Sequence, residues 1–421
     1  MGESDSWKLL KQLELILESD PLIDEIGFIH PSQFDALDEE SGTSFSPDSV
    51  PQSIDKTNIS SEVFWSREHK LGISITALHP LYKAAKHAFM DSLGQYRMHA
   101  GVTKDKDEYN EGNASLSSSL IALENEVMKH STAILLISCD FGTAWNFRKL
   151  LVLRRQEHSL FMKELDFSDL VLSYSPKSEQ AWSQRRWVIK MIAGKCSNFE
   201  EIVNKESEHV KKLAERSKMN FRAWNHCCWL VSYMSIGQMF GELNKSREWA
   251  GLHVADNSCF HYRACIMLRI LEAFLGKDQN GYCGEELDFL WKEELDWVEK
   301  LIKLYVGREA LWLHRRFLAS CWVKYFATTA ATCDIHRFVD NELQLFNSCA
   351  TIIDLNFEDY QTQATFAATY ILWLNKQILV QPLGVEFQGK LHVSALKPLL
   401  INACPERASF WDSLVEMCGF E

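Results

Sequence analysis

Pro176-Lys177-Ser178-Glu179-Gln180-Ala181-Trp182-Ser183-Gln184-Arg185-Arg186 holds the word that decides the fold, an aromatic followed three residues later by a basic residue. The word recurs on both sides, as Trp145-x-x-Arg148, Trp224-x-x-Cys227, Phe260-x-x-Arg263 and Trp312-x-x-Arg315. Successive aromatics lie 37, 42, 36 and 52 residues apart. Such a period is expected of one helical hairpin repeated and stacked on itself. The fifth to seventh residues after each aromatic are nearly all apolar, as in Trp187-Val188-Ile189 and Phe317-Leu318-Ala319. On a helix the aromatic shares a face with the residues three and seven further on, so each word reads as a buried first turn followed by a packed second.

Working outward, each word helix is followed by a second helical run, at residues 161–174, 199–217, 237–254, 285–306 and 333–355. Three glycines in residues 276–284 account for the longest interval as a loop insertion. Residues 360–379 form a further apolar helix without the word, ended by Gln381-Pro382-Leu383-Gly384, and 410–417 close the chain. Ahead of the words, residues 7–18 read as an amphipathic helix, and 81–98 and 116–137 as two helices that cap the array. Residues 41–61 and 101–113 are polar and read as surface loops. Period-two alternation is not evident, so strands are expected to be rare. The expected layout is 1–140 for the capping helices and their two inserts, 141–330 for five repeats, and 331–421 for helices that complete the stack.

In an all-α chain of 421 residues, 46% hydrophobic and 12% aromatic, there is ample material for a large core. The 44 basic against 57 acidic residues give a net charge of −13, which argues against a general nucleic-acid binder. No run reaches the roughly 18 apolar residues of a membrane span, and the first residues lack the basic start and apolar core of a secretion signal. Twelve cysteines scattered through helices suit free thiols in a reducing, cytoplasmic compartment. None are spaced Cys-x-x-Cys, and adjacent Cys227 and Cys228 cannot both face one metal, so spacing predicts no metal site in this chain. His226, His261 and His314 recur beside the words on separate hairpins and read as buried or capping groups. The terminal Cys418-Gly419-Phe420-Glu421 has only the outline of a prenylation box.

The repeated Trp145, Trp182, Trp224, Phe260 and Trp312 are read as packing groups, and Arg148, Arg185, Arg263 and Arg315 as partners of an acidic side chain or helix-end carbonyls in the neighbouring unit. With Asn220-Phe221-Arg222-Ala223-Trp224 and Asn257-Ser258-Cys259-Phe260-His261-Tyr262-Arg263, they form a pattern that resembles the repeat of protein prenyltransferase alpha subunits, Asn-Tyr-x-x-Trp-x-x-Arg. The long inserts and divergent words look most like the repeat-containing alpha-like branch.

That resemblance implies an alpha-alpha superhelix, a right-handed crescent of stacked hairpins wrapping a separate beta subunit. The zinc and the isoprenoid diphosphate would reside in the beta subunit, with no cofactor held by this chain. It implies an alpha-like subunit, inactive alone, in transfer of an isoprenoid, geranylgeranyl by the branch, to a cysteine-containing protein. The Rab-type geranylgeranyltransferase beta chain is the implied partner. In the family a Lys five residues before the second-repeat Trp lies near the diphosphate, which here is Lys177, and a polar residue two before the third-repeat Trp does so too, which here is Arg222. A cation there would stabilise charge gathering on the leaving oxygen. Three departures motivate the alternative of a non-enzymatic interaction scaffold derived from the family. Glu179 stands where Tyr is common, Cys227 replaces the third repeat Arg, and repeats one and five lack the Asn-Tyr pair. Glu179 would repel the anion unless Arg185 or Arg186 neutralises it.

Overall fold

The computed structural model describes residues 3–34, 36, 63–104, 113–275, 284–327, 332–350, 357–378, 398, 401 and 405–417. Residues 41–61, 105–112, 276–283, 381–384 and 418–421, several of them read above as loops or breakers, lie outside that set. The chain divides into two compact units, Met1–His226 and Cys227–Glu421. Both are built almost wholly of helices, as the periodicity predicts.

In the first unit, α1 (Glu3–Ser19) lies against the long pair α2 (Leu78–Lys104) and α3 (Asn113–Ile137). Its Leu9, Leu10 and Leu13 are buried, as i, i+1 and i+4 on one helix face must be. Glu14, also buried, accepts from His130 at 2.7 Å and Lys129 at 3.4 Å, tying α1 to α3. Next come α4 (Gly142–Arg155), α5 (His158–Tyr174), α6 (Glu179–Ile192), α7 (Phe199–Arg216) and α8 (Phe221–Leu230), which runs across the boundary. In the second unit follow α9 (Ile236–Leu252), α10 (Asn257–Leu275), α11 (Gly284–Leu304), α12 (Glu309–Cys321), α13 (Thr332–Ala350), α14 (Glu358–Ile378) and α15 (Ala408–Met417). The words open α4, α6, α8, α10 and α12, and the intervening odd-numbered helices are the expected second arms. Residues 101–104, read as loop, continue α2.

Helix starts follow capping chemistry. Ser178 Oγ accepts the Ala181 N–H at the head of α6, and Asn220 Oδ1 accepts the Ala223 N–H at the head of α8. Ser235 and Gln238 close a reciprocal capping box on α9. Between α11 and α12 the chain turns at Gly307, φ 74°, where a Cβ would meet the Asp359 carbonyl at 3.0 Å.

Strands are few, as expected: among the described residues the first unit carries one three-stranded sheet of β1 (Glu25–Ile29), β2 (Phe64–Arg67) and β3 (Lys70–Ser74), in the order β1-β3-β2. β2 and β3 are antiparallel, Phe64 opposite Ile73, while β1 runs parallel to β3, Ile26 opposite Leu71. The two-residue turn between β2 and β3 places Glu68 and His69 at φ 49° and 62°, the left-handed pair that a tight hairpin requires. Neither is Gly, Asn or Asp, and strands of four or five residues are too short for alternation to stand out. At Gly72 a Cβ would meet Ile29 Cδ1 at 2.7 Å, so the Ile29 side chain packs over the glycine.

Candidate functional site

The repeat arginines organise both units from within. Arg148, Arg185, Arg263 and Arg315 are all buried. Each Nη1 donates to the carbonyl 20 residues earlier, on Met128, Leu165, Leu243 and Leu295 in turn. In the first three repeats that keep the Arg, Nη1 also reaches a Ser Oγ 17 residues earlier, on Ser131, Ser168 and Ser246. The Nε and Nη2 edge of each fork grips one buried carboxylate on the following arm. Arg148 takes Glu164, Arg185 Glu206, Arg263 Glu294 and Arg315 Glu342. The planar guanidinium suits this role because its two edges address two helices at once.

The same carboxylates take a second donor from the residue two after the next aromatic. Gln184 Nε2 donates to Glu164 at 2.7 Å, His226 Nε2 lies 2.7 Å from Glu206, and His314 Nε2 lies 3.0 Å from Glu294. Tyr370 on α14, the helix without the word, donates to Glu342 at 2.7 Å. In the third word, where Cys227 replaces Arg, Glu242 stays buried and accepts from Tyr262 at 3.0 Å. Where the repeat Arg is kept, a buried Glu on the second arm thus joins three successive helices. Lining up the residues 18 before the aromatics Trp182, Trp224, Phe260 and Trp312 would have revealed Glu164, Glu206, Glu242 and Glu294 in the sequence.

Burial and pairing set their titration. Burial alone would raise the Glu206 pKa, but Arg185 and His226 outweigh it and hold the carboxyl well below the usual range. Against the same burial, Arg263 and His314 hold Glu294 to about 2. Burial lowers the pKa of His226 and of His314 despite their carboxylate partners, so both imidazoles are neutral donors. The indoles also bond. Trp145 Nε1 donates to the Cys139 carbonyl at 2.8 Å, Trp182 Nε1 to the Pro176 carbonyl at 3.0 Å, and Trp312 Nε1 to Gln363 at 3.1 Å. Trp145, Trp182, Trp224, Phe260 and Trp312 are all buried, which agrees with a packing role.

The two residues read as diphosphate ligands sit at the heads of α6 and α8. Exposed Lys177 extends Nζ to the Lys218 carbonyl at 3.3 Å. Arg222, about two-fifths exposed, is paired with Glu179, and Arg186 reaches the other oxygen of the same carboxylate at 2.8 Å. Glu179 is therefore neutralised by Arg186 and Arg222, whereas Arg185 is spent on Glu206 inside the unit. Asn220 holds the two helix heads together, its Nδ2 donating to the Pro176 carbonyl at 2.9 Å. Arg186 and Arg222 thus form a small basic cluster on one carboxylate at these helix heads, with Lys177 just ahead of the Ser178 cap of α6.

The second unit has a cleft of about 390 Å³ lined by Asp288, Asp296, Glu299, Asp334, Trp322 and Arg337 among others. Burial and neighbouring Asp334 raise the Asp288 pKa. No helix among the described residues is long and apolar enough to cross a membrane. Eight cysteines, Cys139, Cys196, Cys227, Cys228, Cys259, Cys265, Cys321 and Cys349, are free thiols.

Residues 161–192 and 291–322 match the protein prenyltransferase alpha subunit repeat, in each case an acid-bearing arm followed by its word helix. The chain is 27% identical over 237 residues to the human protein prenyltransferase alpha subunit repeat-containing protein 1, a stretch that covers 46% of this chain and 58% of that protein. Against its Danio rerio counterpart it is 28% identical over 244 residues, 48% of this chain and 56% of the relative. The chain thus spans little more than half the length of these curated relatives. With the geranylgeranyl transferase type-2 subunit alpha of Saccharomyces cerevisiae it shares 21% identity over 288 residues, 66% of this chain and 73% of that subunit. By the repeat that sets its buried ladder, this chain is related to the protein prenyltransferase alpha subunits.

Proposed function

We propose that the chain is an alpha-like subunit of a heterodimeric protein prenyltransferase, inactive alone and scaffolding a beta subunit. The beta subunit, of the type-2 (Rab) geranylgeranyltransferase kind, holds the zinc and the isoprenoid diphosphate, and the acceptor is a cysteine-containing protein in the cytoplasm. The observation that carries this reading is the match of residues 161–192 and 291–322 to the alpha-subunit repeat, together with the likeness to a geranylgeranyl transferase alpha subunit.

In such a transfer the substrate thiolate forms a C–S bond to the allylic carbon as the C–O bond breaks and its electron pair leaves on diphosphate. Lys177 would face the leaving oxygens as a point charge, and Arg222, released from Glu179, would add a two-pronged contact. Co-expression with candidate beta chains tests this. A stable complex that transfers geranylgeranyl to a cysteine protein is expected, with Lys177→Ala plus Arg222→Ala slowing transfer. Failure to recover any beta chain overturns the subunit reading, and unchanged transfer in the double variant removes both residues from the chemistry.

One observation favours a second reading, a non-enzymatic scaffold. Arg222 and Arg186 are both engaged by Glu179, so the basic cluster is self-satisfied as it stands. A complex that forms without transfer activity would select it.

A further inference from the structure

Cys228 on α8 meets His261 and Cys265 on α10, although spacing predicts no metal site. Their ligand atoms, Sγ, an imidazole nitrogen and Sγ, all lie within 4.8 Å of one another. The stacked word helices make the meeting. Cys228 lies four residues after Trp224, and His261 and Cys265 lie one and five after Phe260, so the last two share a face of α10 one turn apart. A pattern search along the chain misses it because 33 residues separate Cys228 from His261.

The geometry fits a tetrahedral ion. His261 Nε2 lies 3.7 Å from Cys265 Sγ, close to the ~3.6 Å edge that Zn–S and Zn–N bond lengths require around a tetrahedron. Both thiols are half-buried and His261 is exposed, so a metal would be reached from solvent and would keep its fourth position open. Cys227, next in sequence, is buried and lies outside the set.

We infer that Cys228, His261 and Cys265 form a Zn²⁺ site with three protein ligands and one exchangeable position. Two thiolates and a neutral imidazole balance the 2+ charge, and two soft sulfurs select zinc over magnesium or calcium. Binding displaces the thiol protons to solvent, so uptake acidifies an unbuffered solution. The inference stands apart from the prenyltransferase reading, since the ligands belong to this chain alone and its test involves no isoprenoid.

Cobalt titration of the reduced, metal-free full chain is the direct test. One Co²⁺ per chain is expected, with a sulfur-to-cobalt charge-transfer band and the strong visible bands of a tetrahedral centre, both bleached by Zn²⁺. Cys228→Ser and Cys265→Ser should each abolish the charge-transfer band, while Cys259→Ser, in a buried thiol of the same helix, should leave it. Folding of each variant is checked by its helical circular dichroism. A second measurement needs no variant, namely alkylation of the native chain with and without Zn²⁺, mapped by mass spectrometry. Protection of Cys228 and Cys265 by at least tenfold supports the site. Bands that survive the Cys228→Ser and Cys265→Ser changes, equal alkylation in both conditions, or a Cys228–Cys265 disulfide with no metal uptake after reduction would each overturn it.

Discussion

His314 Nε2 sits 3.0 Å from the Glu294 carboxylate 20 residues earlier in the chain, both side chains being buried, and His226 repeats the relationship with Glu206 at 2.7 Å. Gln184 fills the equivalent place over Glu164. The position asks for an N–H donor, not a charge.

That equivalence makes a pH prediction. Burial depresses both histidine pKa values below 6.5, so the unfolded chain takes up protons before the native one does. The stability is present above pH 6.5 and is lost as pH falls through the lower native values. Glu294 adds a second loss at lower pH, since its depression from 4.5 to about 2 is worth on the order of 3 kcal/mol above pH 4.5 and vanishes by about pH 2. Thermal melts between pH 8 and 5 should show the midpoint falling below 6.5. His226→Gln with His314→Gln should keep the fold and flatten that limb, and an unchanged slope would show that other groups govern it.

Removing one repeat Arg strands a buried carboxylate. Arg263→Ala should destabilise by about 3–5 kcal/mol, because Glu294 keeps its burial and loses its bidentate partner. The first word shows how an apolar version is built, with Phe147 in the place of the donor and Val127 in that of the acid. Arg263→Met combined with Glu294→Val and His314→Phe should therefore recover most of the loss in urea denaturation.

The Pro176 carbonyl accepts both the Trp182 indole and the Asn220 amide. Trp182→Phe keeps most of the apolar bulk and should cost about 1 kcal/mol, while Trp182→Ala should cost about 3–5 kcal/mol. Asn220→Ala loses its cap on α8 as well as this bond, for about 1–2 kcal/mol. Equal losses for the Phe and Ala variants would mean that the indole N–H, and not its volume, dominates.

At the heads of α6 and α8, Glu179 competes with any anion for Arg222 and Arg186. Glu179→Gln should tighten inorganic pyrophosphate binding by about threefold to tenfold, since a neutral amide releases both guanidinium groups. Arg222→Ala in that background should return it to the starting value. Calorimetric titration of the isolated chain reads both, and a Glu179→Gln chain with unaltered binding would exclude the cluster as an anion site.

The spacing of the words and the apolar triplets after them were enough to place ten helices in order, because a buried aromatic repeated at fixed phase leaves few alternatives. Other features depended on tertiary proximity. The acids at Glu164, Glu206, Glu242, Glu294 and Glu342 lie on arms that otherwise read as amphipathic, and only the fixed 18-residue offset of the first four from the next aromatic, nothing local, separates a buried Glu from a solvated one. The sheet escaped notice because its tight turn uses Glu68 and His69, and its strands are held by pairing more than by pattern. Cys228, His261 and Cys265 converge only once α8 and α10 are packed.

The sheet also ties back to the repeats. Ile26 N–H donates to Ser173 Oγ at 3.0 Å and Phe28 meets the Tyr174 ring edge-on at 5.1 Å, so β1 clasps the last turn of α5, just ahead of Pro176-Lys177. A recombinant fragment cut to begin at the first word would lose this clasp and bare Tyr174 and its neighbours to water. The smallest well-behaved piece of the protein for expression therefore includes residues 25–29 together with the hairpin at 64–74 that holds them in place.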